Sequence, residues 1–119
     1  MKIIINEIPP SNNKFMGNSN SYHIYGNIKK QWAMLVRLAV GRDKPKEPIE
    51  KSIITITYYF KNRIRHDPDN YSGKMILDGL VQAKVIKDDS FKNISLRLEG
   101  DYDKENPRTE ITVEEIKEV

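Results

Sequence analysis

The sequence predicts one α/β (α+β) domain ordered β-α-β-α-β-β, with about four strands in a mixed sheet and two helices. Three observations carry this. Residues 52–61 alternate in side-chain character as a strand does. Apolar residues recur at spacings of three and four over 27–40 and again over about 71–84, the period of a helix with one buried face. Shorter β-rich runs precede the first helix and follow the second. A chain of 119 residues is long enough for one real core and too short for two.

In chain order, residues 2–8 (Lys-Ile-Ile-Ile-Asn-Glu-Ile) are rich in isoleucine and stop at Pro9-Pro10, which predicts a strand. A polar stretch from Ser11 to Gly26 follows and reads as a long loop. It holds Asn12, Asn13, Lys14, Phe15, Tyr22, His23 and Tyr25, groups suited to phosphates and bases, although an idle loop has the same composition. Asn27 is placed to cap a helix and Gly41 to stop it, with Ile28, Trp32, Leu35, Val36 and Ala39 on its apolar stripe. On that stripe Trp32 reads as a core anchor. Residues 43–51 form an exposed connection. In the 52–61 strand both faces are apolar or β-branched, which predicts a central strand covered on both sides. The second helix buries Ile76, Leu77, Leu80 and Val81, and its Lys74 and Asp78 lie one turn apart, able to pair. Ile94, Leu96 and Leu98 mark a third strand, Asp101–Pro107 a polar hairpin loop, and Glu110 to about Ile116 a fourth strand. Two helices cannot cover both faces of such a sheet, and an exposed face invites a dimer.

Hydrophobic residues make up 38% of the chain and charged residues 31%, the balance of a globular protein. No apolar run approaches the roughly 20 residues that span a bilayer, and the N-terminus turns polar too soon for a signal peptide. With no cysteine there is neither a disulfide nor a thiolate metal site. A cytoplasmic protein without membrane contact is the expectation. The net charge of +3 hides an asymmetry: residues 1–87 hold 15 Lys and Arg against 7 Asp and Glu, whereas residues 88–119 hold 5 against 10. The basic excess around 63–74 favours a polyanionic partner with salt-sensitive affinity.

The chemistry concentrates in His66-Asp67-Pro68-Asp69-Asn70-Tyr71-Ser72-Gly73-Lys74 and in Asp88-Asp89 beyond the second helix. Two carboxylates one residue apart in a proline-stiffened turn, answered by a second acidic pair, offer hard oxygen ligands to a divalent cation. Arg63, Arg65 and Lys74 would draw a phosphate to the same place. The plain structural alternative is a turn and helix cap at 67–70 and a solvated loop at 88–90. On the metal reading Asp67, Asp69 and Asp89 converge on one cation, with Asp88 able to exchange roles with Asp89.

At these residues the chain resembles the RusA family of Holliday junction resolvases, small dimeric endonucleases of bacteria and their phages. Pro9-Pro10-Ser11-Asn12-Asn13-Lys14 is similar to that family's Pro-Pro-Ser-x-Asn signature. Asp67-Pro68-Asp69-Asn70 resembles its Asp-x-Asp-Asn core, Lys74 to Leu80 its Lys-x-x-x-Asp-x-Leu stretch, and Val85 to Ser90 its Asp-Asp turn. The resemblance spans nearly the whole chain in order. It implies Asp67, Asp69 and Asp89 as metal-binding catalytic carboxylates, Lys74 as the basic catalytic residue, and Asn70 as a supporting polar group. Asn13, Lys14, Arg63 and Arg65 would contact DNA with Asn70. Two departures stand out. Tyr71-Ser72-Gly73 puts three residues between Asn70 and Lys74 where one form of the family has two, and His66 stands at a position where an arginine is known.

The implied function is a Mg²⁺-dependent (Mn²⁺ as substitute), structure-selective endonuclease that resolves four-way junctions by paired nicks in a homodimer, in DNA recombination and repair. Two rivals stay open at this point: a non-catalytic nucleic-acid-binding module, and a metal-dependent nuclease on other branched DNA.

Overall fold

Strict alternation makes Ser52–Phe60 (β2) a strand, and its even-numbered residues Ile54, Ile56, Tyr58 and Phe60 are all buried. The computed structural model of the protein describes residues 1–12 and 21–117. In chain order the elements are β1 (Lys2–Ile5), α1 (Ser21–Val40), a 3₁₀ turn at Gly41–Asp43, β2, α2 (Lys74–Gln82), β3 (Ile94–Tyr102) and β4 (Arg108–Glu115). The four strands form one mixed sheet in the order β1-β4-β2-β3. β2 runs parallel to β3, with Ser52 opposite Ile94 and Phe60 opposite Tyr102. β4 runs antiparallel to both β1 and β2.

Every buried strand residue faces the same side. Ile54 lies opposite Val113, Ile56 opposite Ile111, and Ile3 opposite Ile111 on the far strand. Trp32, Val36 and Val40 of α1 join Met75, Ile76, Leu77 and Leu80 of α2 in the same core, so both helices sit on that face. Trp32 is 2% exposed, the core anchor its position on the stripe predicts.

The other face corrects the expectation of a central strand covered on both sides. β2 is internal to the sheet, but Ile53, Thr55, Thr57 and Tyr59 are only half-buried. This face is satisfied by charge instead. Arg108 lies with its guanidinium 3.9 Å from the Tyr59 ring centroid, donates to Glu110 (2.6 Å) and Asp103 (2.8 Å), and Glu110 also takes Lys2 at 2.9 Å.

Four boundaries differ from the sequence pattern, each for a physical reason. The first strand ends at Ile5 rather than residue 8 because Ile5 already faces Thr109, next to the first residue of β4. Beyond it the Glu7 carbonyl accepts the Thr109 hydroxyl (2.7 Å). The first helix starts at Ser21, so Asn27 is interior rather than its cap; Tyr25 and Ile28 pack against the core and carry the apolar stripe back past Gly26. Gly41, with φ +53°, does end the helix.

The second helix starts at Lys74 and is shorter than its apolar pattern. At its C-terminal end Lys84 takes a left-handed φ of 61°, while Lys84 N–H donates to Val81 O and Val85 N–H to Leu80 O (both 3.0 Å). That is the closing geometry glycine ordinarily supplies. Finally, Asp101–Pro107 is no hairpin loop. β3 continues to Tyr102, and the short link after it crosses the end of β2, where Asp103 N–H donates to Phe60 O (2.8 Å). β4 then returns on the other side of β2 and joins it to β1.

Candidate functional site

The acidic turn hangs from the C-terminal end of β2. Asn70 N–H donates to Asp67 O (3.0 Å) and Tyr71 N–H to Pro68 O (3.1 Å), two successive turns of the kind Pro and Asp favour. Asn12 clamps this turn from across the chain. Its backbone N–H donates to Asn70 O (2.9 Å), and its amide reaches Asp69 O (2.9 Å) and Ser72 Oγ (3.5 Å). The sequence marks the segment around Asn12 but places the role on its neighbours. Asn13 and Lys14 lie outside the described residues.

Aromatic rings form the floor. His66 stacks flat on Phe60, centroids 3.7 Å apart at 3°, and Tyr71 meets both edge-on at 5.1 Å and 5.6 Å. His66 therefore packs the strand end to the turn. Beside it a shallow recess is lined by Tyr58, Phe60, His66, Asp67, Tyr71 and the Leu98–Gly100 stretch of β3. Burial, with Tyr71 beside it, pushes the Tyr58 phenol well above its usual range, so it stays neutral.

Gly73 decides where α2 begins. Its φ is +80°, and a Cβ there would lie 2.7 Å from Ile56 Cδ1. The helix N-terminus is thus seated on β2 through a residue without a side chain. The additional residue of Tyr71-Ser72-Gly73 falls in this link, ahead of the helix. Lys74 is the first helical residue, exposed, and borders a second recess with Asn12, Asn70 and Ser72. Among the described residues it has no carboxylate partner. Asp78 faces Lys29 of α1 instead, at 3.5 Å, an ion-pair distance without hydrogen-bond alignment.

Arg65 Nε donates to Asp67 Oδ1 (3.0 Å), and Arg63 stacks over Tyr102 at 4.3 Å. The Asp69 carboxylate has no partner among the described residues. At the other acidic pair, Asp88 Oδ1 accepts the Asp89 N–H (2.8 Å), while the Asp89 carboxylate has no partner among the described residues. The turn that follows is fixed by Asn93, which is buried. Its amide donates to Glu50 O (2.8 Å), its carbonyl accepts Ser52 N–H (2.9 Å), and Ser90 Oγ lies 2.6 Å from its Oδ1. Those bonds put Asp88-Asp89 beside the start of β2, whereas Asp67 and Asp69 follow its end.

The structure therefore brings Asp67 and Asp69 together in one turn and leaves Asp89 at the opposite end of the β2-α2-β3 unit. Nine strand residues span roughly 30 Å. Among the described residues no group of three or more His, Cys, Asp or Glu side chains is placed to hold a metal ion. The donor types suit a hard cation; within one chain the three carboxylates do not form a cage. Two exposed apolar side chains, absent from the sequence reading, flank the acids: Ile64 between Arg63 and Arg65, and Phe91, fully exposed two residues past Asp89. Their only signal in the sequence is apolar character inside charged turns.

Compared with known families, residues 7–114 match endodeoxyribonuclease RusA. The chain belongs to the RusA family. The match takes in both acidic turns, Lys74 and the Asn12 clamp, so the RusA motifs and the clamped turn coincide. No curated protein matches the chain. No helix among the described residues is long and apolar enough to cross a membrane.

Proposed function

We propose that this RusA-family protein is a Mg²⁺-dependent, structure-selective endodeoxyribonuclease that resolves four-way DNA junctions by paired nicks as a homodimer, with Mn²⁺ able to substitute. The observation that carries the reading is the family match along residues 7–114. The residues give it chemical sense. Asp67 and Asp69 ride on a turn held by Asn12, and with Asp89 they supply carboxylate oxygens. Mg²⁺ ordinarily takes one or two carboxylates together with waters and substrate phosphates, so a full protein cage is not required. When bound, it supplies a more acidic water and offsets charge on the leaving 3′-oxygen.

The chain's own cations do the rest. Lys74 sits in the first turn of α2, where unbonded N–H groups also favour an anion, and offsets charge on the scissile phosphate. Arg63, Arg65, Lys14, Asn13 and Asn70 hold neighbouring phosphates and fix register without reading sequence. Arg65 meets Asp67 through Nε alone, which leaves its other guanidinium N–H groups to reach a phosphate.

A second reading, binding without cleavage, draws on the separation of Asp89 from Asp67 and Asp69. Incubating labelled four-way junction and linear duplex with Mg²⁺ or with chelator decides between them. Resolution expects paired nicks in the junction, Mg²⁺-dependent, with the duplex intact. Junction binding that survives chelation with no nick in either metal supports the binding module. Equal cutting of other branched or linear DNA supports a general nuclease.

A further inference from the structure

The ring stack at the end of β2 stops at His66. One face of the imidazole lies on Phe60 at 3.7 Å and 3°, and Tyr71 meets its edge at 5.6 Å. No described ring lies against the other face. His66 is only half-buried and borders recesses on both sides of the acidic turn. Packing of the turn onto the strand end therefore accounts for one face of the ring and leaves the other unused.

One of these recesses is a groove between the end of β2 and the Asn6–Pro9 segment behind β1. Ile8, Pro9, Tyr71 and Pro107 give it apolar walls. Lys61 stands at its rim, and the exposed Arg63 and Arg65 follow on the same loop. An apolar slot with cations around it sorts the two halves of a nucleotide. The base is flat and uncharged and suits the rings, whereas its phosphates suit the cations outside.

We propose that an unpaired nucleobase of the DNA stacks on the outer face of His66, continuing the Phe60–His66 column beside the acidic turn. The proposal rests on the reading above that the protein binds four-way junctions, and it names a contact within that complex. Inside a duplex every base is paired and stacked, so drawing one out is costly. At the exchange point of a junction the pairs lack a continuous neighbour on one side, and a base leaves more cheaply. His66 thus favours junction over duplex, because only a loosened base reaches its face. Every base has such a face, so the preference follows DNA structure and not sequence. An arginine on a phosphate would instead hold duplex and junction alike.

A double-mutant cycle between position 66 and the DNA tests the contact. Each nucleotide within about three of the exchange point is replaced in turn by a tetrahydrofuran abasic residue. Affinity is read by fluorescence anisotropy with chelator present, so that no cleavage enters. Wild-type protein should lose about tenfold in affinity at one such position. His66→Leu keeps an apolar contact with Phe60 but has no flat face. It should bind the intact junction about tenfold more weakly and respond to that abasic residue by less than about twofold. His66→Phe should restore both the affinity and the abasic penalty, and linear duplex should bind all three proteins within about twofold. An abasic penalty that persists in His66→Leu, or that arises at no position, overturns the proposal and leaves junction binding standing. So does a parallel loss of duplex and junction affinity in His66→Leu, or a His66→Phe variant that behaves like His66→Leu. Wild-type protein that binds no four-way junction overturns both this contact and the reading beneath it.

Discussion

At the scale of single residues, each site side chain has a surrounding that limits what it does. Among the described residues Lys74 has no carboxylate partner, and Asp78 turns to Lys29 across the helix pair. A role as a mere surface partner of Asp78 is therefore gone, and Lys74→Ala should lower single-turnover junction cleavage by about a hundredfold or more with little loss of affinity. Cleavage within about threefold of wild type would remove Lys74 from the chemistry and direct attention to Arg65. Asp69→Asn keeps the turn, since Asn12 bonds the Asp69 backbone carbonyl and not its carboxylate. Cleavage should be lost while junction affinity stays or rises, and a variant that cuts normally would sink the carboxylate mechanism. Lys84 offers a stability test away from the site. Its left-handed φ of 61° costs a non-glycine residue about 1 kcal/mol, so Lys84→Gly should raise stability by about that much in urea titration.

At the scale of elements, Gly73 ties the start of α2 to β2. Gly73→Ala meets both an unfavourable φ and the Ile56 methyl at 2.7 Å. A loss of about 2 kcal/mol or more is expected, with cleavage falling further than stability because Lys74 follows directly. Unchanged melting and cleavage together would mean that the helix start is free to shift.

This is also the scale at which the sequence is most and least legible. Alternation and helical period locate β2, β3, β4 and both helices, because each buries one face and periodicity reports that directly; β1 shows instead as an isoleucine run stopped by Pro9-Pro10. Strand order has no such signal. Four polar residues and Pro107 between Tyr102 and Arg108 look like a hairpin loop, yet they cross the end of β2, and nothing local separates the two cases. The site divides in the same way. The acidic turn is visible because Pro68 and the aspartates act on their own backbone. The distance to Asp89 is not, since it depends on α2 running back along β2; a nine-residue helix alone holds its ends about 13 Å apart.

For the whole molecule, the two faces of the sheet carry different kinds of stability. The helix-covered face is apolar and nearly indifferent to pH. On the open face Arg108, bonded through its side chain, holds the Asp103 carboxyl below its ordinary range, and Lys2 followed by Arg108 does the same for Glu110. A depressed carboxylate contributes stability that is present above its unfolded value, near about 4, and is lost as pH falls through the lower folded value. Arg108→Met should therefore flatten the fall in stability below about pH 4 and leave neutral cleavage intact. An acid profile identical to wild type would show that this network contributes little to stability.

The place of β4 has a consequence in time as well as space. β1 is made before the other described strands, and among them it bonds β4, about a hundred residues later. Until then Ile3 and Ile5 have no sheet to join, while β2, α2 and β3 already form a unit in sequence order. Such late, distant pairing is slow. The Pro9-to-Asn12 segment is tethered directly behind β1, so the clamp on the acidic turn becomes secure only once β4 is in place. A chain made only as far as β3 can thus display its acidic turn before the clamp holds it, and on the proposed reading cutting of DNA waits for β4.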